Sequence, residues 1–140
     1  MREITTTVEI LASPAQVWAV LVDVERWPDW TPTVTAIERL DTGPLILGSR
    51  TRIHQPRLRP AVWQVTEFDP SRGIFIWQSR SPGVVATAAH LLQPLPAGCL
   101  SVHSAHFSGI VAPLAHIAAG KLTQQYLRTE ADSLKARCEI

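Results

Sequence analysis

Along residues 3–11, side chains that favour an apolar face alternate with polar ones: Ile4, Thr6, Val8 and Ile10 against Thr5, Thr7 and Glu9. Strand neighbours point to opposite faces, so this pattern predicts a half-buried strand. At Ser13 the signal changes. Ser13 is placed as an N-cap, Pro14 fits the first helical position, and Gln16 can close a capping box. Val17, Trp18 and Leu21 supply the buried face of the helix that follows. Pro28 disfavours helical geometry at Trp27, so Trp27-Pro28-Asp29-Trp30 interrupts that helix and starts another short helical turn.

Strand patterns then recur near 33–41, 48–56, 61–69, 73–80, 84–94 and 99–108. Pro and Gly cluster between them, as in Thr42-Gly43-Pro44, Asp69 to Gly73, Ser81-Pro82-Gly83 and Pro94 to Gly98. Connections this short predict an antiparallel meander. From Pro113 the period lengthens, with Leu114, Ile117, Ala118, Leu122, Tyr126, Leu127, Ala131 and Leu134 spaced by three and four. That predicts one helix of about six to seven turns. Gly120 falls inside it, where glycine costs up to ~1 kcal/mol against alanine, so a packing reason or a slight bend is expected. The fold class is α+β: about seven strands curved around a long C-terminal helix, with two short helices after the first strand. The 140 residues read as a single domain, 1–140.

Composition narrows the functional classes. Thirteen basic residues balance twelve acidic ones, so no charge excess points to nucleic acid. No apolar run is long enough for stable membrane insertion, and the first residues read as a strand rather than a signal sequence. Cys99 and Cys138 lack metal-type spacing and read as incidental thiols in a reducing cytoplasm. His103 and His106 stand three apart, which on a strand sends them to opposite faces, so no metal site is expected there. No Ser-His-Asp or Cys-His arrangement can be read from the spacing, and no cofactor motif is present. Glu67 is the most plausible carboxylate near the sheet, at a strand end. Arg50, Arg52, Arg57 and Arg59 read as a solvated outer face.

Several segments, taken in order, resemble the SRPBCC superfamily, which includes START domains, the birch-pollen-allergen fold and polyketide cyclase/dehydrase-like proteins. They are Val8-Glu9-Ile10 with Ser13-Pro14, Val17-Trp18, Asp23 to Trp30, Trp63 to Pro70, the Ser81-Pro82-Gly83 turn and Phe107-Ser108-Gly109. The last three resemble the polyketide cyclase-like branch. The resemblance implies a helix-grip fold with a cavity between sheet and last helix, and it puts Trp27, Trp30 and Pro32 near the cavity mouth. It does not by itself choose among carriers, cyclases and receptors.

Alternation supplies the candidate lining. Thr51 and Ile53 share a face opposite Arg50, Arg52 and His54; Trp63 pairs with Val65, and Phe75 with Trp77. The last hairpin allows two registers. If Pro94 meets Cys99, His90 faces His103, with Ala88, Leu92, Ser101, Ala105 and Phe107 on the same side. A bulge at Gly98 instead groups His90 with Ser104 and His106. The resemblance favours the first register. The candidate ligand-binding set is therefore Thr51, Ile53, Trp63, Val65, Phe75, Trp77, Ala88, His90, Leu92, His103, Ala105, Phe107 and, from the helix, Ile117. Such a cluster can be packed core or a binding wall with polar anchors. As a wall it predicts a carrier of a small hydrophobic molecule (a lipid, a quinone or an aromatic polyketide-like compound), a monomer or weak homodimer with no cofactor. As catalysts, His90 and His103 would act as acid and base in a cyclase or dehydratase. A third expectation is an accessory protein whose outer surface carries the function.

Overall fold

A computed structural model describes residues 3–140. The elements are β1 (Glu3–Ile10), α1 (Pro14–Val22), a 3₁₀ turn (Val24–Arg26), α2 (Trp27–Trp30), β2 (Ala36–Arg39), β3 (Arg50–His54), β4 (Ala61–Asp69), β5 (Ile74–Ser81), β6 (Val84–Leu95), β7 (Gly98–Ser108) and α3 (Ala112–Cys138). The strands form one antiparallel sheet in the order β1-β7-β6-β5-β4-β3-β2. The meander thus runs from β2 to β7, and β1 closes onto β7. A sheet, two short helices and the long α3 make a helix-grip fold.

Local chemistry accounts for the element ends. Ser13 accepts from the Gln16 backbone amide at 3.2 Å, and the Gln16 side chain accepts from the Ser13 amide at 2.9 Å, the reciprocal capping box expected at α1. β2 is shorter than the pattern predicts. Thr31 and Thr33 share a side-chain hydrogen bond of 2.8 Å, and the Val34 amide bonds back to Thr31, so this stretch turns before the Thr35 amide joins the His54 carbonyl and the ladder starts at Ala36.

A β-bulge at Thr66 shifts β4 against β5, so that Val65 faces Trp77 but Glu67 faces Ile76. The alternation inverts there. Phe68 turns inward, 6.2 Å from Phe75 and 5.4 Å from Trp18 between ring centres, and Glu67 becomes an exposed outer residue. The core gathers Val17, Leu21 and Val24 from the helical side against Phe75, Trp77 and Cys99 of the sheet. Each such large apolar side chain contributes about 1.5–3 kcal/mol by leaving water.

The C-terminal half of α3 is tied to β1 and its end. Lys135 Nζ donates to the Glu9 carbonyl at 3.0 Å, and the Leu11 amide donates to Glu139 at 2.8 Å. Further toward its N-terminus, the Tyr126 hydroxyl donates to the Pro56 carbonyl, strapping α3 to the loop after β3. Among the described residues no helix is long and apolar enough to cross a membrane.

Candidate functional site

Between α3 and the concave face of the sheet lies a cavity of about 280 Å³. Its wall is largely aromatic and aliphatic: Trp27 from α2, Trp63 and Trp77 from the sheet, and Phe107 at the end of β7. Ring centres of Trp27 and Trp77 lie 5.4 Å apart, and those of Trp63 and Trp77 6.0 Å, so the indoles form one continuous surface. From α3 the wall takes Ala115, Ala119 and Thr123. These small side chains leave the space open.

Beside polar residues such as Gln55, Arg59 and His106, a buried charged cluster stands in this wall. The last hairpin adopts the register with Pro94 opposite Cys99, so His90 sits directly across from His103, their ring centres 5.6 Å apart. Glu130 reaches them from α3. His103 Nδ1 is 2.7 Å from Glu130 Oε2, and His103 Nε2 is 2.8 Å from Ser101 Oγ. His90 Nδ1 lies 3.1 Å from the Phe75 carbonyl, and His90 Nε2 3.7 Å from Glu130 Oε2. Burial of Glu130 works against its charge. The hydrogen bond that His103 donates is the largest effect in the opposite direction, and the carboxyl lies well below the usual range. Glu130 is therefore an ionised carboxylate, 8% exposed.

Ser101, His103 and Glu130 repeat the donor-acceptor order of a catalytic triad. Access rules out that chemistry here. Ser101 and His103 are both fully buried and neither lines the cavity, so the hydroxyl meets no substrate. The chain of hydrogen bonds instead fixes the carboxylate. Only His90 and Glu130 of this cluster face the cavity.

Of the residues expected from alternation, Ile53, Trp63, Trp77, Ala88, His90, Ala105 and Phe107 line the cavity. Phe75 and Leu92 share their face but are buried in the core, because α1 packs over that part of the sheet through the Trp18–Phe68–Phe75 contacts. Thr51 and Val65 are likewise shut into the interior, and His103 lies behind Glu130. Ile117 is corrected outright: it is 81% exposed, since Ala115 and Ala119 take the cavity side of that helical turn. Sequence reasoning missed Glu130. Its signal was a lone carboxylate within the stripe of Leu127, Ala131 and Leu134, at helical spacing where only apolar side chains are expected.

This site geometry coincides with a family match. A model described as polyketide cyclase/dehydrase and lipid transport fits residues 1–139. The chain belongs to that family. No curated protein matches it. Solved structures share the fold of this family at low identity. An aromatase/cyclase, ZhuI, from a Streptomyces species is 18% identical with a TM-score of 0.76, covering 99% of this chain and 93% of its own. A hypothetical protein of Helicobacter pylori is 16% identical at TM-score 0.83, covering 98% and 88%. Norcoclaurine synthase from Thalictrum flavum, solved with dopamine and hydroxybenzaldehyde, is 16% identical at TM-score 0.76, covering 97% and 85%. The polyketide cyclase/dehydrase family resemblance in the sequence and the SRPBCC fold of these structures agree.

Proposed function

We propose that the protein binds and carries a small hydrophobic molecule with aromatic character in the cavity between the sheet and α3. The observation that carries this reading is the void itself: about 280 Å³, walled by Trp27, Trp63, Trp77 and Phe107, with His90 and Glu130 as a confined polar patch. An apolar pocket with a few convergent polar groups is the usual make-up of a small-molecule site. The family's description joins cyclases with lipid transport, which suits a lipid, quinone or polyketide-like ligand. In this reading the protein works in the cytoplasm as a monomer or weak homodimer, without a resident cofactor. Native mass spectrometry of protein purified from its own host tests it: a retained organic ligand, released on denaturation, is expected. Empty protein that also fails to take up aromatic probes contradicts it.

A second reading, a cyclase or dehydratase, is favoured by one feature. His90 lines the cavity with its Nε2 3.7 Å from the Glu130 carboxylate, a placement that suits a base taking a proton from carbon next to a carbonyl. His103 then acts as a positioning residue through Glu130. This reading predicts turnover that collapses in His90→Ala while ligand binding survives. A carrier predicts that His90→Ala weakens binding alone.

A further inference from the structure

Donors and acceptors do not balance at the His90–Glu130 patch. The Phe75 carbonyl can only accept, so His90 Nδ1 carries the hydrogen of that 3.1 Å contact. In the neutral ring Nε2 is then bare. It faces Glu130 Oε2 at 3.7 Å, too far for a hydrogen bond and acceptor against acceptor. Glu130 is already ionised and takes its one side-chain donor from His103, whose other nitrogen is engaged by Ser101. Among the described residues no side chain donates to His90 Nε2. With His90 neutral, two acceptors therefore border the cavity with no donor between them.

We infer that the ligand supplies this donor: its head group carries an O–H or N–H that inserts between His90 Nε2 and Glu130, while its apolar body lies against Trp27 and Trp77. A buried acceptor left unpaired costs free energy, so a ligand without a donor leaves that cost in place. Sites built to hydrogen-bond a substrate hydroxyl discriminate strongly against analogues that lack it. Ethers, ketones and plain hydrocarbons are the disfavoured classes. An ammonium head has the further advantage of opposing the carboxylate charge beside indole faces.

This inference rests on the proposed reading of the cavity, and its test separates the two. The purified full chain, held in EDTA, is titrated with four naphthalene probes of similar size: a naphthol, a naphthylmethylamine, the methyl ether and the methyl hydrocarbon. Tryptophan quenching gives the affinities. The naphthol or the amine should bind at least about tenfold more tightly than the ether and the hydrocarbon, and the two donor probes against each other tell hydroxyl from ammonium. Glu130→Gln brings an amide N–H of its own to His90 Nε2, so the preference should shrink to about twofold or less. His90→Phe, which removes one acceptor, should also reduce it and guards against a Glu130 variant that misfolds. Equal affinity for all four probes overturns the inference and leaves the binding role standing. A preference that survives both variants overturns it too, as does one that emerges only when a divalent metal replaces EDTA, since a metal ion then fills the gap. If none of the probes binds, the inference falls together with the binding role.

Discussion

At the scale of single residues, the protein holds a charge in its interior. Glu130 is buried, yet its partners keep it ionised, so its carboxyl lies far below the ordinary 4.5. A group depressed in this way contributes stability above its unfolded value and loses it as pH falls toward the folded one. Urea unfolding should therefore show stability dropping between about pH 5 and about pH 3, with a smaller drop in Glu130→Gln, which has no charge to lose. An equal drop in both proteins would contradict the assignment. Removing one partner of a buried pair leaves the other uncompensated, so His103→Leu should cost about 3–5 kcal/mol, and adding Glu130→Leu should recover part of it. The thiols behave oppositely. Burial, and then the neighbouring Cys99, push Cys138 up to about 11, and burial raises Cys99. Thiol reagents at neutral pH should label the folded protein slowly and the unfolded protein at once. Much of this was hidden in the sequence. His90 and His103 are legible from strand alternation, but Glu130 lies 27 residues beyond His103, and only the phase of α3 decides that it turns inward.

At the scale of elements, local chemistry is a good guide where a motif is self-contained. The Ser13 capping box and the Pro-Gly turns are satisfied within a few residues, and they appear where the sequence puts them. The Thr66 bulge is not local, because it is set by how β4 and β5 match, and it reverses the facing of Glu67 and Phe68. Two glycines separate these cases by experiment. Gly109, at φ 104°, has the Gly83 carbonyl oxygen 2.6 Å from where a Cβ would stand, at the turn leading into α3. Gly109→Ala should destabilise the protein clearly, by about 1–3 kcal/mol, through strain at a position that fixes the helix entry. Gly120 is different. The nearest atoms an added Cβ would meet are those of the His116 ring, at 3.5 Å, an ordinary contact, so no close packing demands glycine. Gly120→Ala should stabilise α3 by up to ~1 kcal/mol, seen as a higher Tm. A lower Tm would mean that the bend or the cavity wall requires the glycine.

For the whole molecule, the sheet and α3 meet fully near the C-terminus of the helix and part company where Ala115, Ala119 and Thr123 face the indoles. The helix-grip architecture was readable from the order of patterns. The void was legible only through the family resemblance, because periodicity marks which side chains turn inward and says nothing of whether they touch. Ile117 shows the limit: its spacing fits the inward stripe, but smaller neighbours take that side and it remains in solvent. Family membership and the cavity's geometry both support the central proposal, that the gap is a binding site. The most direct test is a titration of the protein and its Ala105→Trp variant with an aromatic probe, following tryptophan quenching and checking both folds by circular dichroism. Saturable one-to-one binding to the parent, weakened at least about tenfold by the plug (about 1.4 kcal/mol) with the fold intact, is the predicted result. Equal binding by both proteins, or none by either, would contradict it.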